Sequence, residues 1–267
     1  MRRRQMLAAS LAAPLALPTL ALPARAGPPP LAVDPIDRLA TPWWRRRFAA
    51  KQAEIRRRPP RLLMLGDSIT EDYEKRGPPA WRDFVPVWQH FYGGRGAINL
   101  GFIGDATSHL IWRLMHGELD HMRPQAAVLL IGANNMGAPH WGARDTIEGI
   151  EATIALCQQR QPQMGIVLVS VLPSIRSAWI SATTRRINAG LAARFGGARR
   201  QSVTYVDVTS IFERNGVVDA SLYLDPHLSP PDPPLHPTAQ AQARMAAAIE
   251  PALAAILGEA PRPPMPR

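Results

Sequence analysis

The chain has 267 residues, of which 46% are hydrophobic and 19% are charged, and its formal net charge at pH 7 is +10. This length accommodates one α/β domain with a full hydrophobic core together with a processing segment. The arginine runs are short and scattered, without interleaved aromatic residues or a recognition helix, which argues against nucleic acid as a partner. The only cysteine, Cys157, excludes an internal disulfide and a cysteine-rich metal site.

Residues 1–26 have the pattern of an export signal peptide. A basic start at Arg2–Arg4 precedes an apolar run from Met6 to about Pro23, and Ala24-Arg25-Ala26 supplies a cleavage site with small residues at both ends. The arginines directly before Gln5 also resemble a twin-arginine signal. Prolines within the apolar run favour a cleaved signal over a permanent membrane helix. The sequence therefore predicts a periplasmic or secreted protein that is not stably inserted in the membrane after processing.

The remaining chain alternates between two kinds of hydrophobic pattern. Residues 27–41 form a Pro-rich leader, and a basic helix is predicted over residues 42–57. Short apolar runs typical of buried parallel strands lie at residues 61–65, 97–100, 126–131, 165–171 and 203–208. Segments with helical spacing lie at about residues 80–91, 107–117, 142–160, 181–195 and 238–257. The alternation predicts one domain over residues 42–258, with helices on both faces of a parallel sheet, and a Pro-rich tail over residues 259–267.

The first chemical signal is Gly66-Asp67-Ser68-Ile69-Thr70, directly after the first predicted strand. A glycine lets the chain turn sharply there, and the turn leaves the Ser68 hydroxyl at the carboxyl end of the strand. Active sites of parallel α/β sheets lie at that edge. Because Gly, Asp and Ser are also ordinary turn residues, this motif alone is weak.

Two further loops strengthen the signal by their position. Asn-Leu-Gly-Phe-Ile-Gly-Asp follows the second predicted strand and contains Gly104, and Gly-Ala-Asn-Asn follows the third and contains Asn134. The N–H groups of Ser68 and Gly104 and the amide of Asn134 could donate hydrogen bonds to one oxyanion. Separately, each loop is better explained by an ordinary loop glycine or Asx turn, whereas three such loops at one edge of one sheet favour the functional interpretation.

A serine nucleophile needs a base, and His236 has the most favourable setting among the seven histidines. It lies in Leu-His-Pro-Thr, immediately before the last predicted helix, which Thr238 can cap. Asp232, four residues upstream, is the preferred carboxylate to orient the imidazole. The alternatives are Asp225 or a backbone carbonyl as the orienting group, and His227 as the base.

Taken together, these blocks resemble the SGNH (GDSL) hydrolase superfamily, and most nearly its branch of platelet-activating-factor acetylhydrolase catalytic subunits and their bacterial relatives. The resemblance covers roughly residues 43–257. It implies a flavodoxin-like three-layer α/β/α sandwich with a five-stranded parallel sheet, and no metal or cofactor. It also implies Ser68 as nucleophile, His236 as base, and Ser68, Gly104 and Asn134 as the oxyanion hole. One feature departs from the family pattern, in which the aspartate lies three residues before the histidine.

The sequence thus predicts a serine ester hydrolase that cleaves short-chain (acetyl) esters through a Ser-His-Asp mechanism, with O-acetylated carbohydrate as the first choice of substrate. The alternatives are a lysophospholipase or broad esterase, an O-acyltransferase with the same catalytic residues, and a non-catalytic binding or assembly protein on the same fold. A small-molecule or glycan ester is the expected partner, and the resembled branch makes a homodimer an open option.

Overall fold

A computed structural model of the chain describes residues 31–197 and 202–266. At its centre is a five-stranded sheet with the strand order β2-β1-β3-β4-β5, in which every neighbouring pair is parallel. Each apolar run predicted as a strand forms one of these strands. Their bounds are β1 Leu62–Gly66, β2 Ala97–Gly101, β3 Ala126–Leu130, β4 Gly165–Val169 and β5 Val203–Val206.

Helices cover both faces of the sheet. The main ones are α1 Pro42–Arg57, α2 Ser68–Glu71, α3 Val85–Phe91, α4 Thr107–Arg113, α5 Ala143–Arg160, α6 Ala178–Phe195, α7 Thr209–Phe212 and α8 Ala239–Leu257. The predicted helix over residues 80–91 is divided into a 3-10 turn at Ala80–Arg82 and α3, which begins with a proline in its first turn. The predicted helix over residues 107–117 ends in a wide π-turn at Leu114–Glu118, where Gly117 has a positive φ. A hairpin of two very short strands, β6 Glu213–Arg214 and β7 Val217–Val218, was not predicted.

Alternation along the strands builds two cores, one on each face of the sheet. Leu63 and Leu65 of β1 belong to the core shared with α4, α5 and α6. Leu62 and Met64 belong to the core on the opposite face, shared with α3 and α8. Strands β1 to β4 are buried along their whole length. The architecture is therefore the expected three-layer α/β/α sandwich, and the apolar runs do not alternate with polar residues because both faces are covered.

The segments outside the predicted domain also have defined contacts. The described part of the leader, residues 31–41, lies against α4: the Thr107 hydroxyl donates to the Ala32 carbonyl, and the Ile36 N–H donates to the Ser108 carbonyl. The predicted signal peptide, residues 1–26, lies outside the described residues. Within the described ranges, no helix combines the length and apolar character that crossing a membrane requires.

Candidate active site

Ser68 lies at the carboxyl end of β1, where the chain turns directly into α2. The preceding Asp67 caps this short helix, because its Oδ1 accepts a hydrogen bond of 3.0 Å from the Ile69 N–H. A side chain at Gly66 is excluded: its Cβ would lie 2.1 Å from the Thr70 hydroxyl and 2.5 Å from the Leu130 carbonyl oxygen. The turn is therefore tight enough to hold the Ser68 hydroxyl at a fixed place, with 5% of the residue exposed.

His236 reaches Ser68 from the loop before α8. Its Nε2 lies 3.0 Å from Ser68 Oγ. The loop is fixed by backbone hydrogen bonds at the histidine and two residues after it, from the Leu224 N–H to the His236 carbonyl and from the Thr238 N–H to the Leu222 carbonyl. Thr238 caps α8 through its hydroxyl, which accepts from the Ala241 N–H. The two residues expected to be nucleophile and base are thus brought into hydrogen-bonding contact, although 168 positions separate them in sequence.

The carboxylate that contacts His236 is Asp225, and the expectation for Asp232 is wrong. Asp225 Oδ1 lies 2.6 Å from His236 Nδ1, and its Oδ2 accepts from the N–H groups of His236 at 2.6 Å and Leu235 at 2.7 Å. Asp232 is exposed, and only its backbone N–H reaches the Asp225 carbonyl. The Pro-rich segment between residues 225 and 236 forms a loop that returns to its start. A separation of 11 residues therefore becomes a direct contact.

His236 and Asp225 each shift the pKa of the other toward its charged form. Burial raises the pKa of Asp225, but its hydrogen bonds with His236 and Leu235 outweigh burial and leave the pKa below its usual value. Burial likewise lowers the pKa of His236, yet the hydrogen bond and the charge of Asp225, with the charges of Asp72 and Asp67, raise the pKa above its usual value. With the proton on Nδ1, the imidazole donates to Asp225 and accepts the Ser68 hydroxyl proton at Nε2.

Two further carboxyl groups lie near His236, although sequence reasoning had assigned them no role. Burial raises the pKa of Asp67 to about 7, despite the Ile69 hydrogen bond and the opposing charge of His236. Burial also raises the pKa of Asp72, whose Oδ1 lies 2.5 Å from Lys75 Nζ. Asp67 Oδ2 and Asp72 Oδ2 are buried without hydrogen-bond partners. His236 therefore lies near three carboxyl groups with different tendencies to ionise.

Gly104 and Asn134 follow β2 and β3 at the same edge of the sheet. Gly104 has φ +75°, a left-handed conformation that suits glycine, and it is exposed. One N–H of the Asn134 amide donates 3.1 Å to the carbonyl of Asp105, the residue after Gly104. This bond ties the two loops together, fixes which end of the amide carries the donors, and leaves the second N–H of the Asn134 amide for another acceptor.

The loop that carries Gly104 is held by a buried ionic cluster. Asp105 is fully buried and accepts from three side chains: Oδ1 from Arg38 at 2.9 Å and Trp44 Nε1 at 2.8 Å, and Oδ2 from Arg113 Nε at 2.9 Å. Arg38 also donates 2.7 Å to the Ile103 carbonyl, one residue before Gly104. Sequence reasoning missed this cluster. Its only signal was Asp105 itself, because neither the leader arginine nor the helix tryptophan stands in a motif.

Arg113 connects the same cluster to the sheet. Its Nη2 lies 3.2 Å from the Leu100 carbonyl and 3.4 Å from the Gly66 carbonyl, at the carboxyl ends of β2 and β1. It also forms an ion pair with Glu118, and both side chains are fully buried. Through Arg113, the turn that carries Ser68 and the loop that carries Gly104 share one rigid support.

No group of three or more His, Cys, Asp and Glu side chains suited to a metal ion occurs within residues 31–197 and 202–266. The chemistry that the described arrangement can perform is attack by an activated hydroxyl. Oxygen, imidazole and carboxylate are aligned, and donors from neighbouring loops lie at the same edge of the sheet.

Comparison with known proteins gives a consistent result. The model of the GDSL-like lipase/acylhydrolase family matches residues 64–244. The bovine platelet-activating factor acetylhydrolase IB subunit alpha1 is 28% identical over 178 residues, which are 66% of this chain and 72% of that protein. The match to the human form covers 47% of its length, so the chain spans about half of that relative.

Among solved structures, a carbohydrate esterase family 3 protein from Talaromyces cellulolyticus superposes with a TM-score of 0.56 at 14% identity, over 75% of this chain and 100% of that one. An acetylxylan esterase from Geobacillus stearothermophilus superposes with a TM-score of 0.51 at 17% identity, over 74% of this chain and 94% of that one. At these identities the structural likeness shows the fold, whereas the family model matches most of the chain. The chain therefore belongs to the GDSL-like lipase/acylhydrolase family and is a carboxylic ester hydrolase.

Proposed function

We propose that this esterase removes acetyl and other short acyl groups from hydroxyl groups of carbohydrate, by way of an acyl-enzyme on Ser68. The single observation that carries the mechanism is the line of hydrogen bonds from Ser68 Oγ to His236 Nε2 and from His236 Nδ1 to Asp225. This is the arrangement in which an imidazole takes a serine proton and a carboxylate stabilises the resulting imidazolium.

In the first step, Ser68 Oγ attacks the ester carbonyl carbon while His236 Nε2 takes the hydroxyl proton. The carbonyl oxygen becomes an oxyanion, which the N–H groups of Ser68 and Gly104 and the free N–H of the Asn134 amide stabilise. His236 then returns the proton to the leaving alcohol as the carbon–oxygen bond breaks. In the second step, water gives a proton to His236 Nε2 and attacks the carbonyl carbon of the acyl-enzyme. His236 then returns the proton to Ser68 Oγ as the bond between Ser68 and the acyl group breaks and the carboxylic acid leaves.

Rigidity of the donors is what makes the oxyanion hole effective. A donor held in place before the reaction loses no free energy to reorganisation when charge develops, and removal of one such donor costs about 10²–10³ in rate. The Asn134–Asp105 bond and the cluster around Asp105 hold Gly104 and Asn134 in this way.

The preference for acetyl esters of carbohydrate draws on two relatives. One is named an acetylhydrolase, and one structural neighbour is an acetylxylan esterase. Both names specify an acetyl ester, whereas the alcohol that carries the acetyl group differs between them.

The test begins with 4-nitrophenyl acetate, butyrate and octanoate, using the chain from residue 27 onward and a Ser68→Ala control. We expect hydrolysis that falls with acyl chain length and is abolished in the control. Equal rates for octanoate and acetate would contradict the short-acyl preference, and no turnover above Ser68→Ala by folded protein would contradict the mechanism.

The alcohol is tested by acetate release from acetylated xylo-oligosaccharides and by fatty-acid release from a lysophospholipid. We expect the first and not the second. Faster hydrolysis of the lysophospholipid would replace the carbohydrate proposal with a lysophospholipase. Formation of a new acetyl ester on an added sugar, in preference to acetate release, would indicate an acyltransferase.

A further inference from the structure

Arg176 lies between the loops that carry Asn134 and His236. It belongs to the connection from β4 to α6, at the carboxyl edge of the sheet. Its Nη2 donates 3.2 Å to the carbonyl of Ala133, the neighbour of Asn134, and its Nε donates 3.2 Å to the hydroxyl of Ser174. The Ser174 hydroxyl in turn donates 3.5 Å to the carbonyl of Pro234, two residues before His236. The guanidinium group is therefore fixed beside the catalytic centre rather than free to swing in solvent.

Arg176 differs in its charge partners from the other arginines at this edge of the sheet. Within the described ranges, no carboxylate forms an ion pair with it, and Nη1 has no hydrogen-bond partner. By contrast, Arg38 and Arg113 at the same edge both form ion pairs with Asp105. Burial lowers the pKa of Arg176, while the charges of Asp225 and Asp67 act in the opposite direction, which places the group within electrostatic range of both. The guanidinium remains charged at neutral pH.

A half-buried arginine that is held in place without a counterion is suited to bind an anion. Part of its hydration is already lost in the folded protein, and its orientation is already fixed. The free-energy costs of desolvating and ordering the side chain are therefore smaller when a ligand binds. A guanidinium hydrogen bond to a carboxylate is about twice as strong as one between neutral groups. The location also defines which part of a substrate would meet it: His236 protonates the leaving alcohol, and Arg176 is linked to the loop of His236.

We propose that Arg176 is a specificity residue that binds an anionic group, such as a carboxylate, on the alcohol part of the ester. The preferred substrates are then acyl esters of acidic alcohols, of which acetylated acidic sugars are the carbohydrate representatives. This inference rests on the proposed roles of Ser68, His236 and Asn134.

The experiment compares acetyl esters that differ only in charge on the alcohol: 3- and 4-acetoxybenzoate against 3- and 4-acetoxybenzamide. We expect kcat/KM to favour one benzoate over its benzamide by at least about tenfold, since a hydrogen bond between two charged groups is stronger than one to a neutral amide. The preference is expected to disappear in Arg176→Gln, to persist in part in Arg176→Lys, and to weaken as salt is added.

Arg186→Gln is the matched control, because it removes the same charge from an exposed position on α6. It is expected to keep the wild-type preference. A wild-type enzyme that hydrolyses the benzamides but does not prefer either benzoate would overturn the assignment of Arg176 while leaving the proposed function intact. Equal loss on charged and neutral esters in Arg176→Gln would also overturn it, in favour of a structural role. Absence of hydrolysis of all four esters above the Ser68→Ala level would instead contradict the proposed function.

Discussion

Asp225 contacts His236 through both of its oxygens, one on the imidazole and one on the backbone N–H of the same residue. The carboxylate therefore fixes the position of the loop as well as the orientation and charge of the ring. An aspartate with only one of these bonds could rotate away without disturbing the backbone. At the residue scale, Asp225 therefore determines both the orientation of the His236 imidazole and the direction in which its pKa is shifted.

Replacing Asp225 with Asn is expected to lower kcat by about 10²–10⁴, as in serine hydrolases whose imidazole is left in the wrong tautomer. Because the Asp225 carboxylate raises the His236 pKa, and because the base works only when neutral, the acidic limb of the pH–rate profile is expected to move to lower pH. The measurement is kcat/KM over the pH range that spans the titration of His236.

Asp232→Asn is the matched control for this variant, because it makes the same change at an exposed carboxylate. We expect its rate to stay within about twofold of wild type, since surface substitutions away from special features have small effects. A greater loss of rate in Asp232→Asn than in Asp225→Asn would show that Asp232, rather than Asp225, is the carboxylate that supports His236.

Asp67 is expected to reduce stability at neutral pH. Its folded-state pKa of about 7 lies above its ordinary value of 3.8, so the folded protein keeps a proton that the unfolded chain releases between these values. Stability from this group is then greatest at low pH and is lost as the pH rises through that window.

Asp67→Asn keeps a side-chain oxygen for the cap on Ile69 but has no charge to bury. We expect its unfolding midpoint to exceed that of wild type by at least about 2 °C at about pH 8, and the difference to shrink toward about pH 4. Thermal unfolding at the two pH values measures this, and a difference independent of pH would contradict the assignment.

At the scale of elements, the leader and α1 act together on the loop between β2 and α4. Arg38 from the leader and Trp44 from α1 both bind Asp105, and Arg38 also binds the Ile103 carbonyl beside Gly104. A segment that precedes the whole sheet thus supports a loop at the edge where Ser68 and His236 lie.

Arg38→Gln is expected to lower kcat by about tenfold while leaving KM nearly unchanged, because a displaced oxyanion donor affects the transition state more than the bound substrate. Arg38→Lys should recover part of the loss. Arg46→Gln, at an exposed position on α1, is the control and should behave as wild type. Equal losses of kcat in the two glutamine variants would refute a role for Arg38 in positioning the loop.

The elements differ in how well their sequences predict them. Strands β1 to β4 could be predicted because each is an apolar run that is buried along its whole length, and the long helices because their apolar residues recur at helical spacing. Strand β5 has a weaker pattern, since only Val203 of its four residues is buried. The hairpin of β6 and β7 could not, because two residues a strand leave no periodic pattern. The leader gave no signal of its role, since its hydrogen bonds to the rest of the domain come from Arg38 and from backbone atoms.

The residues of the site also differ in how well the sequence predicts their positions. Ser68, Gly104 and Asn134 could be located because each follows a predictable strand, and the carboxyl ends of parallel strands meet at one edge. The sequence indicated Asp225 as an alternative to Asp232 but could not decide between them, because the choice depends on the path of the Pro-rich loop between residues 225 and 236. Asp232 was preferred because it is closer to His236 in sequence. Closeness in sequence predicts closeness in space only where the intervening chain is regular, and the Pro-rich loop is not.

At the scale of the whole molecule, the Ser68–His236 pair and a large ionic cluster lie at opposite edges of the sheet. Ser68 follows the carboxyl end of β1, whereas Arg61 directly precedes its amino end, about 17 Å away for a strand of this length. At the amino edge, Glu259 of the tail binds Arg61 and the buried Arg95, and Arg95 also binds the buried Glu250 of α8. The tail is thereby joined to β1, to the turn before β2 and to α8.

Glu259→Gln is therefore expected to lower the stability of the fold without affecting the reaction. The substitution leaves Arg95 with one charged partner in place of two, and a lost ion pair in a partly buried network costs more than an exposed one. We expect the free energy of unfolding to fall by about 1–2 kcal/mol, while kcat/KM for 4-nitrophenyl acetate stays within about twofold of wild type.

Glu151→Gln is the control: it breaks the more exposed pair with Arg194 and should change the free energy of unfolding by less than about 1 kcal/mol. Urea unfolding of the three proteins measures the difference. Equal destabilisation by the two variants would mean that the tail adds no more than a surface ion pair, and a loss of activity in Glu259→Gln would mean that the two edges of the sheet are coupled.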